Sequence, residues 1–347
     1  MKYIFLSIFS LHLVFSSVAQ TGKRKVQLVI LFDTSNSMDG LLNQAKAKIW
    51  AIVNEVAKLT YQGASPDLEI AMYDYGNAEL SAESNFIRQQ LPFTSDLDLV
   101  SEKLFGLRTN GGSEYCGAVI QTSLQQLNWS NDPRDLKMIY IAGNEPFNQG
   151  PVNYKNACEL AKTKNVFINT IYCGAIDQGI REYWKDGASC SRGDYFNINS
   201  NEQIVTIQTP YDEQINQLNI QLNQTYISYG SLGKENRMKQ KREDDNALLQ
   251  GAAVSSERAL VKSKSVYSNG SWDMVDAVKM DSTIVGKLND EELPDELKGK
   301  STEEKEAYIK QKSEERAKIQ GEIGQLGKKR EQFIQEEKSK QAGQTPK

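Results

Sequence analysis

The feature that most constrains this chain is a short apolar run that stops on an acid. Residues 25–33 read KVQLVILFD, and Val26–Phe32 is almost continuously apolar. A strand without a polar face is buried on both sides, the position of a central strand in a parallel sheet covered by helices. Helical spacing follows at once: Leu42, Ala45, Ile49, Ile52, Val53 and Val56 recur within Leu41–Leu59. The alternation continues, predicting strands at Leu68–Tyr75, Leu136–Ala142, Val166–Tyr172 and Tyr195–Ile198, with an edge strand at Phe86–Phe93. Helices are predicted at Asp96–Phe105 (capped by Ser95), Ser113–Leu127, Tyr154–Lys164, Gln178–Lys185 and Glu202–Leu222. This pattern specifies an α/β fold, a doubly wound and mostly parallel sheet flanked by helices, over residues 24–229. Such sheets bind ligands beyond the carboxyl ends of their strands, and Asp33 sits at the end of the first.

The flanks differ from this body. Residues 1–19 have a lysine, a short apolar stretch and a small-x-small ending, which predicts a signal peptide cleaved after Ala19 and a secreted or periplasmic protein. No later segment is long and apolar enough to predict a membrane span. Residues 230–265 are rich in charged and small residues and read as a charged linker or a solvated helix. Residues 266–347 read as a helical C-terminal region: Ser271–Val278 capped by Ser271, a break at Pro294, then a charged helix from Ser301 to about Lys340 opening on the capping-box pattern Ser301-Thr302-Glu303-Glu304. Ile319, Ile323, Leu326 and Phe333 make a thin coiled-coil seam interrupted by Arg330, which opens a route to self-association. A lone charged helix, or a hairpin with residues 271–292, fits the same pattern.

Composition narrows the chemistry. The net charge of −4 gives no basic excess for nucleic acid. The one histidine is His12, inside the predicted leader, so the processed chain has no catalytic triad built on histidine and no HExxH site. Cys116, Cys158, Cys173 and Cys190 allow three disulfide pairings or four buried thiols, and they lack the spacing of a zinc site. Cys116 and Cys173 are both expected near the end of the sheet that carries Asp33, where a link between them would stiffen it.

The distinctive motif is Asp33-Thr34-Ser35-Asn36-Ser37. Side chains two apart point the same way in extended chain. Asp33, Ser35 and Ser37 thus offer one charge and two neutral oxygens, a set suited to a hard divalent cation. Taken alone, the pattern favours a turn capping the helix that follows. Its place between a buried strand and an amphipathic helix favours the cation.

With this motif, residues 25–229 resemble a von Willebrand factor A domain, and DTSNS at 33–37 resembles that family's metal-ion-dependent adhesion site. The resemblance implies three metal-binding loops, Mg²⁺ (or Mn²⁺ or Ca²⁺) as the ion, and a protein ligand bound without chemistry. For the second loop it implies a threonine; this chain has Asn110-Gly111-Gly112-Ser113-Glu114, with Ser113 as counterpart, Glu114 as an added carboxylate and Thr109 as a weaker alternative. For the third it implies an aspartate, where Asn144 stands with Glu145 beside it. The implied metal set is Asp33, Ser35, Ser37, Ser113 and Asn144, with Glu114 and Glu145 less securely placed. The implied function is capture of a partner's acidic group through the ion. A metal-free envelope scaffold binding through its charged tail is the alternative. A metal-assisted hydrolase using Glu114 or Glu145 as base is disfavoured by the lack of histidine.

Overall fold

The structure, a computed structural model, describes residues 23–198 and 207–343, and side chains up to residue 340. The predicted leader lies outside the described residues. The chain runs through β1 (Lys25–Asp33), α1 (Leu42–Ala57), β2 (Asp67–Tyr75), β3 (Ile87–Thr94), α2 (Leu97–Gly106), α3 (Cys116–Gln126) and β4 (Leu136–Gly143). It continues with α4 (Tyr154–Thr163), β5 (Phe167–Cys173), α5 (Ile176–Arg181), α6 (Trp184–Ser189), β6 (Tyr195–Ile198) and α7 (Asp212–Asn223). The C-terminal part is helical: α8 (Gly233–Leu249), α9 (Ala252–Lys262), α10 (Met274–Met280) and α11 (Thr302–Gly343).

The sheet order is β3-β2-β1-β4-β5-β6, with only β3 antiparallel to its neighbour. This is the doubly wound architecture expected. β1 is buried from Val26 to Asp33, and its alternate residues feed two cores. Leu28, Ile30 and Phe32 face α1, α2 and α7; Val29 and Leu31 face α3, α4 and α6. Because the sheet order reverses about β1, the loops after β1, β2 and β4 meet at one edge.

Residues 230–265 are not a linker. They fold as α8 and α9, and Ala259, Leu260 and Val261 enter the same core as β1. Beneath them Arg258 bridges Asp98 of α2 (2.7 Å) and Asp244 of α8 (2.5 Å), while Lys262 donates to Asp244 at 2.6 Å. The charges read as solvent-facing are therefore partly buried and paired.

The seam on α11 is also spent within the chain: Ile319, Ile323 and Leu326 join the β1 core. Arg330, which interrupts the seam, is buried and donates to Asp212 at the start of α7 (2.7 Å), and also pairs with Glu257 of α9. Arg316 donates to Asp273 (2.6 Å) and to the Thr225 carbonyl just past α7 (2.7 Å), its guanidinium lying 4.0 Å over the Tyr226 ring. The predicted capping box is formed, with Glu304 N–H donating to Ser301 Oγ and Ser301 N–H to Glu304 Oε2.

Other boundaries moved for local reasons. Asp96 rather than Ser95 caps α2, its carboxylate accepting from Leu99 N–H at 2.9 Å. Asp273 rather than Ser271 caps α10. The helix expected at 178–185 is broken at Tyr183 (φ 68°), where the Glu182 carbonyl turns to accept from Phe147 N–H. The first part of the helix expected at 202–222 lies outside the described residues. Trp184 and Trp272 are buried packing residues. Cys158 and Cys190 form a disulfide between α4 and the end of α6, whereas Cys116 and Cys173 are free and buried, so no link crosses the sheet edge.

Candidate metal centre

Asp33 ends β1 with 1% of its surface exposed, in register beside Tyr75 of β2. Its Oδ1 accepts the Ser35 N–H at 2.8 Å, a turn made by the aspartate's own side chain. Its Oδ2 is buried and has no hydrogen-bond partner among the described residues. Leaving a carboxylate oxygen dry and unpaired is costly, and burial raises the Asp33 pKa to about 7, against the lowering effect of the Ser35 hydrogen bonds.

The three loops converge on this residue. In the first, Thr34 N–H donates to the Tyr75 carbonyl and the Thr34 carbonyl accepts from Asn110 N–H, both at 2.9 Å, which fixes the loop between its neighbours. Ser35 and Ser37 hydroxyls lie 2.8 Å apart. Ser37 donates on to Asn144 Oδ1 at 2.8 Å, and Asn144 Nδ2 returns a bond to the Ser37 carbonyl at 2.9 Å. The third loop is thereby brought to the first through Asn144. Glu145 is half-buried beside it, with its carbonyl held by the Trp184 indole N–H at 2.8 Å. In the second loop Glu114 is buried and its carboxyl is turned toward Asp33 and Ser35; burial raises its pKa, against the Ser35 hydroxyl. Ser113 is half-buried, and its hydroxyl has no hydrogen-bond partner among the described residues. Thr109, the alternative for that loop, donates to Asp39 Oδ1 and so braces the first loop from outside.

Glycines make the convergence possible. A Cβ at residue 143 would lie 2.9 Å from Asp33 Oδ2 and 2.7 Å from the Tyr75 hydroxyl. A Cβ at residue 112 would fall 2.3 Å from the Gly76 carbonyl oxygen. Gly76, Gly112, Gly143 and Tyr75 are the site residues that the motif alone does not reveal. The signal for two of them was a glycine directly after a buried strand. Tyr75, Cys116 and Cys173 lie beneath Asp33, with their pKa values raised well above normal by burial; the thiols stay protonated and offer no soft ligand.

Among the described residues, no group of three His, Cys, Asp or Glu side chains is arranged to hold a metal. A site here would instead combine few charges with hydroxyl and amide oxygens. The donor set passes a chemical test for a hard cation: every contributor is oxygen, one buried carboxylate oxygen has no partner, and serine hydroxyls can turn their hydrogens away and still present lone pairs.

No protein-family model and no curated protein matches the chain. Solved structures do resemble it. BatB from Bacteroides thetaiotaomicron shares 15% identity over 50% of this chain and 90% of its own, with a TM-score of 0.39. The SpRpn10 VWA domain shares 16% over 55% of this chain and 94% of its own, with a TM-score of 0.38. Proximal thread matrix protein 1 from the mussel byssus, with a zinc-occupied MIDAS motif, shares 12% over 52% of this chain and 43% of its own, with a TM-score of 0.39. The fold assignment stands on the strand order itself. It is the doubly wound sheet that the resemblance to von Willebrand factor A domains implied.

Proposed function

We propose that this chain is an exported protein-binding module that takes an acidic side chain of a partner through a divalent cation at the carboxyl edge of its sheet. The observation that carries the reading is the buried, unpartnered Oδ2 of Asp33 among neutral oxygens. A cation there would give that oxygen a partner and hold the carboxylate ionised despite burial. Asp33, Ser35, Ser37 and Asn144 would hold the ion, with the second loop adding a donor from Ser113 or Glu114 and with Glu145 adjacent. The ion, when bound, supplies a positive centre at the rim; the chain's part is to fix the oxygens and keep one side open. The hard oxygen set suits Mg²⁺, Mn²⁺ or Ca²⁺. Two features support export: the leader pattern at residues 1–19, and the Cys158–Cys190 disulfide, a bond of oxidising compartments.

Calorimetric titration of Mg²⁺ and Mn²⁺ into the full chain tests the reading. Heat of binding is expected, with a rise in melting temperature that a chelator reverses and that Asp33→Ala abolishes. If the wild-type chain gives neither heat nor shift, the reading fails. A metal-free scaffold is then favoured, since the Ser35–Ser37–Asn144 hydrogen bonds already satisfy those groups without an ion.

A further inference from the structure

We infer that Glu114, and not Ser113, is what the second loop presents to the cation, so that a bound divalent ion meets two carboxylates of this chain rather than one. The inference rests on the ion site proposed above and changes its charge.

Three observations carry it. The first is position. A Cβ placed on Gly76 would lie 2.9 Å from Glu114 Cγ and 3.0 Å from Asp33 Oδ1, so both acidic side chains close directly over that glycine. Gly76 has φ +76°, a conformation that glycine adopts without strain, and it has no side chain to hold the two acids away. The second is burial. Glu114 is 9% exposed, an uncommon placement for a glutamate that has no Lys or Arg paired with it among the described residues. The third is an unsatisfied atom: the other carboxylate oxygen of Asp33, Oδ2, is fully enclosed and has no donor among the described residues. Two buried carboxylates with no basic partner and one orphaned oxygen form an arrangement that a cation completes.

The loop is also built to hold Glu114 there. Gly112 packs directly on the Gly76 carbonyl, which no larger residue would permit. Tyr115, the next residue, is wedged between the ring of Phe86, edge-on at 6.0 Å, and Gly150, where a Cβ would come within 2.4 Å of the tyrosine ring. Phe86 is itself in the left-handed region (φ 55°), a costly state for an aromatic residue that its surroundings must enforce. The backbone on either side of Glu114 is thus clamped. Site rigidity and ligand charge count both set the affinity of an oxygen cage for a divalent ion.

Titration calorimetry with CaCl₂, MgCl₂ and MnCl₂ on the full chain, comparing wild type with Glu114→Gln and Ser113→Ala, tests the assignment. Glu114→Gln is expected to weaken binding by about tenfold or more, since even outer partners of a metal typically cost that much; Ser113→Ala is expected to change it by less than about threefold. Glu114→Asp, which keeps the charge and shortens the reach, is expected to fall between wild type and the glutamine variant. Melting curves without added ion show that each variant is folded; if Glu114→Gln fails to fold, Glu114→Asp and Ser113→Ala decide alone. Unchanged affinity in the Glu114 variants, or a loss confined to Ser113→Ala, overturns the inference and leaves the ion site standing. No binding by the wild type overturns both.

Discussion

Asp33 is held in a state that suits folding poorly when no ion is present. Burial raises its pKa to about 7 from the ordinary 3.8, so between those pH values the folded chain binds a proton that the unfolded chain has lost. The stability it contributes is complete below about pH 4 and is lost as pH rises through 7. Asp33→Asn removes that dependence. In chelator, the variant is expected to melt higher than wild type at pH 8 and to show no advantage at pH 4; in Mg²⁺ or Mn²⁺ at pH 8 the order should reverse, because only the wild type gains from the ion. Differential scanning calorimetry at the two pH values checks both halves. A variant that melts below wild type in chelator at pH 8 would show that the carboxylate is not the burden its surroundings imply. At this scale the sequence was informative about placement: Asp33, Ser35, Ser37 and Asn144 lie in one hydrogen-bonded group. It did not show why Gly112 must be a glycine, because a close approach between loops distant in sequence leaves no local pattern.

Among the elements, α11 is the one whose role is least visible in its own residues. Its charged surface conceals two arginines that fasten α7 at both ends, Arg330 at Asp212 and Arg316 at Thr225 and Asp273. Arg316→Ala leaves Asp273 buried without its counter-charge and should cost roughly 3–5 kcal/mol in denaturant unfolding. A loss below 1 kcal/mol would mean that water or a rearranged side chain replaces the guanidinium. The disulfide between α4 and α6 is the second fastening. In the loop-entropy account a bridge over 32 residues contributes roughly 3–4 kcal/mol, so the Cys158→Ser/Cys190→Ser double variant should melt lower with the fold retained. β1, β4 and α11 were legible because long uniform patterns define them. The caps at Asp96 and Asp273 and the break at Tyr183 were not, since each depends on which nearby group its backbone or carboxylate happens to meet.

For the molecule as a whole, the correction at residues 230–265 matters most. Composition there suggested a charged linker or a solvated helix, yet composition cannot distinguish a charge facing water from one paired inside, as Arg258 and Lys262 are with Asp98 and Asp244. The resulting body has one shared core, to which α1, α2, α7, α9 and α11 all contribute. A chain truncated after residue 229 would expose the apolar surface now covered by Leu260, Tyr267, Trp272 and Ile323, and would strand Asp98 and Asp212 without their cations. It is expected to be insoluble or to lack a cooperative melt, whereas the full chain melts in a single transition. A truncated protein that is soluble and melts sharply would restore the picture of a detachable tail.

The shared core also has a consequence in time. The core that β1 begins is completed by α11, which packs on α7 and α9 nearly three hundred residues further along the chain. Contacts that remote slow folding, and here they cannot form while the chain is still emerging from the ribosome. The cluster that contains β1 is therefore complete only when almost the final helix has been synthesised.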